Sequence, residues 1–347
     1  MLRNLYKNLV SFHKHYTNEE SLTRLYSSIH KSDTIPDYVT GALKSNGPYD
    51  NHEVKRSNEI KRITCYQFGF DRSNIELSVV YTTTEKKLHL IVRIVCMFVY
   101  ILNRYNRQSD VKIILAPFKT QKQLPDMKHI PLSAINVNSG FCNGSYVMIY
   151  RSEEMFKVLL HELCHLYNID FRDESHDHAF EKKFNIKASG VNGIRLFESY
   201  NEMITTVLYI GCTVFHNNFK RSRIIDYPQF TRQYVDMLGN VTNYVINTTV
   251  RIMKHYNCKT FCGFEEQSHI YSYYVCKAAI LFHFLEFYKW LGKDIVMDRK
   301  PVRIKEYVGL LELWLKDPQF QNVVNSGLRK NDRVPSTSLR MLNIDII

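Results

Sequence analysis

The sequence lacks a hydrophobic run long enough to cross a membrane. Its most apolar window, LHLIVRIVCMFVYIL (88–102), contains His89 and Arg93 and is shorter than the roughly 20 residues of a helical span. The first residues, MLRNLYKNLVSFHKHY, are basic but have no continuous apolar core and no small-residue cleavage site, so they do not predict a secretory signal. We therefore expect an intracellular protein in which window 88–102 is a buried helix.

Cysteines paired at disulfide or zinc-ribbon spacing are also missing. The eight cysteines lie far apart, and several sit inside apolar runs, as reduced core cysteines do. Cys258 and Cys262 form a single C-x3-C with no second pair, which does not predict a metal site. In an intracellular protein the glycosylation sequons at Asn143, Asn240 and Asn247 stay unused.

Acidic residues are fewer than basic ones, 34 Asp and Glu against 46 Lys and Arg, which gives a net charge of +12. The basic residues are scattered, so a solvated basic surface is the simplest interpretation. Such a surface could attract nucleic acid, an acidic peptide or an anionic membrane. No helix-turn-helix, RNA-recognition or finger pattern supports nucleic-acid binding.

The chain has no internal repeat and no low-complexity tract, and its composition changes once, near residue 60. Residues 1–60 are polar and broken by proline and glycine, which is typical of an extension or a loosely attached subdomain. Residues 61–347 are expected to form the main domain, with a sheet-containing half over 61–170 and a helical half over 171–347.

Periodicity predicts an α+β fold, with a small mixed sheet and a backing helix followed by a mainly helical half. The predicted strands are 75–82, 111–116 and 145–150. The predicted helices are 88–104, 153–168, 194–214, 229–256, 269–292 and 303–316.

The stretch KVLLHELCHLYNIDF (157–171) contains His161, Glu162 and His165 in the pattern H-E-x-x-H. On a helix the two histidines are one turn apart on one side, so both imidazoles can bind one ion. Glu162 is offset by about 100° and can reach a water beside that ion. Asn168 is expected to end the helix in the left-handed conformation.

Catalytic zinc usually takes three protein ligands and leaves a fourth position open. The metzincin pattern would need glycine at 168 and histidine at 171, so Asn168 and Phe171 exclude that class. The other common third ligand is a glutamate on a later helix. The segment LFESYNEMITT (196–206) offers two, Glu198 and Glu202, one turn apart on one face.

H-E-L-C-H followed by E-S-Y-N-E resembles the gluzincin type of zinc metallopeptidase. The resemblance implies Zn²⁺ bound by His161, His165 and Glu198, with Glu202 in the place of the acid that hydrogen-bonds a zinc-bound histidine. A competing register reads N-E at 201–202 as the ligand motif and makes Glu202 the ligand, but Thr206 then replaces that acid. We favour Glu198.

The longer run SGFCNGSYVMIYRSEEMFKVLLHELCH is similar to uncharacterised predicted metalloproteases of large DNA viruses, over about half the chain. That resemblance implies a location in the host cytoplasm or the virion. Both resemblances imply hydrolysis of a protein or peptide substrate, with Glu162 as general base. A basic surface suits an acidic peptide.

Further site residues are expected around this motif. Strand 145–150 is expected to be a sheet edge for an extended substrate, beside which Gly140, Gly144 and Tyr146 would lie. His269 is the first candidate for stabilising the oxyanion, ahead of three neighbouring tyrosines, Tyr271, Tyr273 and Tyr274. Cys164 is interpreted as an apolar filler, and His176 and His178 as solvated loop residues.

Two other functions remain open. The chain could be a catalytically silent structural or virion-associated protein that keeps a zincin-like fold, although an intact Glu162 argues against decay. The other alternative, suggested only by the charge, is a nucleic-acid-binding protein.

Overall fold

The computed structural model describes residues 1–32, 34–44, 63–80, 84–119, 121–126, 130–188, 193–219, 225–330 and 337–346. The strands are β1 (His30–Ser32), β2 (Ile63–Phe70), β3 (Ser73–Val80), β4 (Asp110–Phe118), β5 (Gly140–Cys142), β6 (Val147–Arg151), β7 (Lys187–Ala188) and β8 (Glu265–Glu266).

The helices of the N-terminal half are α1 (Leu2–Tyr16), α2 (Glu19–Ser27), α3 (Asp37–Lys44), α4 (Glu85–Leu102), α5 (Ala134–Val137) and α6 (Met155–Leu166). Those that follow are α7 (Asp177–Lys183), α8 (Leu196–Phe219), α9 (Tyr227–His255), α10 (Lys277–Phe282), α11 (Phe284–Leu291), α12 (Pro301–Lys316) and α13 (Pro318–Arg329). A π-helix, Tyr271–Cys276, leads directly into α10.

Six strands form one mixed sheet in the order β1-β2-β3-β4-β6-β5. Neighbours β1, β2 and β3 are antiparallel, β3, β4 and β6 run parallel, and β5 returns antiparallel to β6. A two-residue turn joins β2 to β3 at Asp71 and Arg72, whose φ of 46° and 65° are those of a tight hairpin. The mixed sheet followed by a mainly helical half confirms the predicted α+β class.

Both faces of β4 are covered, which explains why its sequence is almost continuously apolar. On one face lies the main core, to which α4 and α6 contribute. On the other face α3 packs Val39, Ala42 and Leu43 in a second cluster that includes Ile114 and Met148. The sheet is therefore a layer between two hydrophobic clusters.

Most predicted elements are found with shifted ends. The strand predicted over 75–82 is β3, although residues 81 and 82 lie outside the described residues. The predicted division of the chain at 60–61 also falls outside them. Elements that were not predicted include α1, β2 and α13.

Helix α1 packs Leu5, Leu9 and Phe12 into the main core. Their spacing is that of one face of a helix, but the polar residues between them hide it in the sequence. Gly211 of α8 allows the close approach of α1, because a Cβ built there would lie 2.5 Å from Leu5 Cδ2. The N-terminal helix is thus fitted against the helix that carries Glu198.

The prediction that strand 145–150 is a sheet edge is wrong. That strand is β6, which pairs with β4 on one side and β5 on the other. Among the described residues β5 is the outer strand at this end of the sheet. Gly140 lies in β5, but the space that its missing side chain leaves is filled by Ile149 and Val158. Gly140 therefore allows the close packing of β5 on β6 and α6, and its role beside a substrate stays a prediction.

The single helix predicted over 269–292 is interrupted. His269 is left-handed (φ 53°), the π-helix follows, and a break at His283 separates α10 from α11. The hydroxyl of Ser272 donates to the carbonyl of Arg195, just before α8. π-Helical turns occur frequently at functional sites, and this one packs against the helix that carries Glu198.

Helix α8 is 24 residues long and buried along almost its whole length. It contacts α6, α9, α1 and the π-helix, so nearly every side has a neighbour. Its acidic side chains must therefore lie inside the protein, where carboxylates require partners.

The Asp177 carboxyl group accepts a hydrogen bond from the backbone N–H of Leu196, the first residue of α8, at 3.2 Å. Burial, together with Glu174 and Glu181, raises the pKa of Asp177 from 3.8 to about 7. Because the folded state holds the proton more tightly, this group stabilises the fold fully below pH 4. That stabilisation, about 4 kcal/mol at most, is lost as the pH rises to 7.

Replacing Asp177 with Asn keeps an oxygen acceptor for Leu196 without a charge. We expect the variant and the wild type to have similar free energies of unfolding at pH 4, and the variant to be the more stable at pH 8. Urea unfolding at both pH values measures this. An equal difference at the two pH values would contradict the assigned role of Asp177.

No helix among the described residues is both long enough and apolar enough to cross a membrane.

Candidate metal centre

Helix α6 presents the H-E-x-x-H residues on its side facing α8. It begins after Glu154, which is left-handed (φ 56°), and the chain turns away at Asn168 (φ 51°). The predicted left-handed stop at Asn168 is confirmed. The apolar residues on the opposite side of the helix, among them Phe156, Leu159 and Leu163, pack in the main core. The register of the helix therefore leaves His161 and His165 facing α8.

Three side chains meet between α6 and α8: His161, His165 and Glu198. The Nε2 atoms of the two histidines are 3.1 Å apart, and each lies 3.2 Å from Glu198 Oε2. The relative exposures of the three residues are 5%, 7% and 8%. The three potential ligand atoms therefore form a nearly equilateral, buried triangle.

This triangle fits a tetrahedral zinc ion. Imidazole nitrogens and carboxylate oxygens bind zinc at about 2.0–2.1 Å, which places ligand atoms of a tetrahedron about 3.3–3.4 Å apart. The observed separations are slightly shorter, and two imidazoles with one carboxylate are a common donor set of catalytic zinc. The described residues thus include a buried His-His-Glu group that could hold a metal ion.

Each histidine has a carboxylate at its other ring nitrogen. His165 Nδ1 is hydrogen-bonded to Asp170 Oδ2, and His161 Nδ1 lies 2.9 Å from Glu202 Oε1. With the proton on Nδ1, the lone pair of each Nε2 points into the triangle, which is the usual arrangement around zinc-bound histidines. Glu202 occupies the place that the gluzincin resemblance implies.

The sequence did not identify Asp170 as a site residue. Asp170 lies in the short turn that follows α6, and its side chain is fully buried. Its Oδ1 atom lies 3.5 Å from Arg172 Nε. A carboxylate five residues after the second histidine was visible in HLYNID. Only the left-handed turn at Asn168, which folds the chain back, brings that carboxylate to His165.

Glu198 contacts both histidines, whereas Glu202 contacts His161 and two lysines. The two oxygens of Glu202 bind the ammonium groups of Lys157 and Lys277, both fully buried. Thr206, the residue that would replace the acid in the competing register, donates to the Glu202 carbonyl within α8. The structure brings Glu198 and not Glu202 into the triangle.

Asn201 is a further residue that the sequence did not single out as part of the site. Its amide nitrogen donates to the His161 carbonyl at 3.1 Å and lies 2.9 Å from His165 Nε2. The amide and a metal ion would compete for the same lone pair, so a bound ion displaces this contact.

Burial raises the pKa of Glu162, although both histidines act in the opposite direction. For Glu198 the burial is outweighed by its hydrogen bonds and its attraction to the two histidines, which hold its pKa well below the usual range. The site contains four buried carboxyl groups and two buried ammonium groups: Glu162, Asp170, Glu198, Glu202, Lys157 and Lys277. Burial lowers the pKa of both histidines, but the surrounding carboxylates outweigh it and hold the pKa of His161 above its usual value and that of His165 well above it. A cation in the triangle would take the place of the protons that these carboxylates attract.

His269 lies near this group, since Tyr273 is a ring neighbour of both His269 and His161, with centroids 6.1 Å apart in each case. His269 Nδ1 donates to the Gly193 carbonyl at 2.8 Å, and burial lowers its pKa. The neutral ring therefore carries its proton on Nδ1, and Nε2 can donate to an oxyanion only when the ring is protonated. The role of His269 stays a prediction.

Cys142 of β5 was not predicted as a site residue. It lies close enough to Glu162 for the carboxylate to raise the pKa of its thiol, after the larger effect of burial. Gly144 and Tyr146 lie in the exposed turn before β6. Cys164 is fully buried and contacts Thr205, as expected of a filler. The side chain of His178 is 93% exposed, as predicted, but it lies in helix α7 and not in a loop, and His176 just before that helix is half-buried.

Comparisons of the chain with protein-family models, with curated proteins and with solved structures found no match. The resemblances to gluzincins and to predicted viral metalloproteases therefore rest on the quoted motifs, and the first of them also on the geometry of the triangle.

Proposed function

We propose that the protein is a zinc-dependent peptidase of the gluzincin type that hydrolyses peptide bonds of a protein substrate. The observation that carries the proposal is the buried triangle of His161 Nε2, His165 Nε2 and Glu198 Oε2, with Glu162 in the same helical turn. A zinc ion held there would polarise a peptide carbonyl and lower the pKa of a water molecule towards neutrality.

Glu162 is the residue proposed to move protons. Its carboxylate accepts a proton from the attacking water and returns it to the amine that leaves. Asp170 and Glu202 hold the two imidazoles in one tautomer and one orientation.

Strand β5 is the proposed binding edge for the substrate. It is the outer strand beside α6, and its residues 141 and 142 are partly exposed. An extended peptide can add to such an edge through main-chain hydrogen bonds, which fix its direction. The location of Cys142 near Glu162 supports a peptide path that leads from β5 to the proposed base.

The burial of Glu162 favours a peptidase over a catalytically silent protein. Glu162 is only 7% exposed, and burying a carboxyl group carries a desolvation cost. A helix that needed only to pack, or only to bind a metal, would be more stable with an apolar residue there. The chemical role gives a physical reason to keep the acid.

Metal analysis and a cleavage assay on the purified protein test the proposal together. We expect about one zinc per chain by mass spectrometry and cleavage of a mixed peptide library. Removing the metal with a chelator should abolish cleavage, and added zinc should restore it. Absence of stoichiometric metal would make H-E-L-C-H a packing motif only, and zinc without cleavage of any library peptide would favour the silent alternative.

A further inference from the structure

Two buried lysines converge on one carboxylate beside the metal site, and the proposed reaction uses neither. Lys157 Nζ binds Glu202 Oε1, and Lys277 Nζ lies 2.9 Å from Glu202 Oε2. Both lysines are at most 1% exposed. Burying two ammonium groups costs free energy of desolvation, so we expect the two lysines to have a function.

The lysines extend a pattern that already links α6 and α8. Lys157, His161 and His165 follow one another at single-turn steps on α6, and Glu198 and Glu202 do so on α8. Across the interface the contacts alternate: Glu198 lies between the two histidines, and Glu202 lies between His161 and Lys157. Each acid is thus held by a basic group on either side.

The C-terminal segment holds the two lysines in place. The Met341 carbonyl accepts a hydrogen bond from Lys277 at 3.2 Å, and Met341 Sδ lies 2.9 Å from Lys157 Nζ. The backbone N–H groups of Met341 and Leu342 donate to the buried carboxylate of Glu154, just before α6. The lysines therefore have a fixed orientation towards Glu202.

We propose that Lys157 and Lys277 are positioning residues of the metal site, which fix Glu202 outside the triangle and against His161 Nδ1. This inference rests on the proposed metal site. Because both carboxylate oxygens are bound by ammonium groups, Glu202 cannot turn towards the metal position. The ring of His161 then keeps its Nε2 lone pair directed at the triangle, and Glu198 is left as the third ligand.

The test is a double-mutant cycle that measures zinc affinity by competition with a chromophoric chelator. Lys277→Met removes the ammonium group and keeps most of the side-chain volume, and Lys157→Met is the second variant should the first not fold. Each is made in the wild type and in Glu202→Gln. Lys183→Met is the control, since the ammonium group of Lys183 in α7 also pairs with a glutamate, Glu312 in α12, but contacts neither Glu202 nor Glu154.

We expect Lys277→Met to weaken zinc binding about tenfold, as loss of an outer contact to a metal-bound histidine does. In the Glu202→Gln background the same change should have no further effect, and Lys183→Met should have none in either background. Circular dichroism confirms that each variant is folded.

Unchanged zinc affinity in Lys277→Met would overturn the inference while leaving the proposed peptidase intact. The inference is also overturned if Lys277→Met changes the affinity equally in both backgrounds, because the lysine would then act on the ion by its charge alone. A wild type that binds no zinc would overturn the proposed function and this inference with it.

Discussion

Glu162→Gln is expected to bind zinc as the wild type does and to lose almost all peptide cleavage. Glutamine has nearly the same shape, and residue 162 lies outside the triangle that would hold the ion. It cannot accept a proton from water, so kcat should fall by about 10²–10⁴. Zinc content by mass spectrometry and turnover of one peptide from the library measure the two effects separately.

Cys164→Ala is the matched control for Glu162→Gln. Cys164 lies in the same motif but is fully buried and contacts Thr205. This variant should keep both zinc and cleavage. Full activity in Glu162→Gln would rule out Glu162 as the general base, and loss of zinc in that variant would mean that residue 162 is needed for metal binding.

Glu198→Gln is expected to lose stoichiometric zinc, whereas Glu202→Gln should keep it with weaker affinity. Glu198 Oε2 lies 3.2 Å from each histidine Nε2, in the position expected of a third ligand atom. Glu202 lies at His161 Nδ1, on the other side of the ring. Loss of such an outer contact typically weakens metal binding by about 10–100-fold.

Both variants replace a glutamate by its amide on the same helix, so each is the control for the other. Zinc affinity of the two purified proteins is measured by chelator competition. If Glu202→Gln lost the metal and Glu198→Gln kept it, Glu202 would be the ligand and the N-E register would be correct. Wild-type zinc affinity in both variants would exclude both glutamates as ligands.

The motif helix was predictable because local rules alone determine its geometry. One-turn spacing places His161 and His165 on one side, and the left-handed turn at Asn168 follows from the tolerance of asparagine for positive φ. The apolar runs of β3 and β4 identify buried strands for the same reason, since every residue of the pattern is local in the chain.

Elements that depend on distant partners were not predictable. The order of strands in a sheet is not a local property, so the sequence predicts strand 145–150 as the edge although β5 pairs outside it. The face of α1 becomes clear only when Leu5 meets Gly211. The π-helix is likewise held by a contact between Ser272 and Arg195, 77 residues apart.

The sequence by itself determined the α+β class, the helix with its two histidines, and a choice of two glutamates for the third ligand. The tertiary structure places Glu198, and not Glu202, beside both histidines, because α6 and α10 bring Lys157 and Lys277 to Glu202 while Glu198 faces the two Nε2 atoms. It also brought Asp170 within hydrogen-bonding distance of His165 Nδ1. A carboxylate buried in a protein takes its role from the charges that surround it, and those charges come from parts of the chain that meet only when it folds.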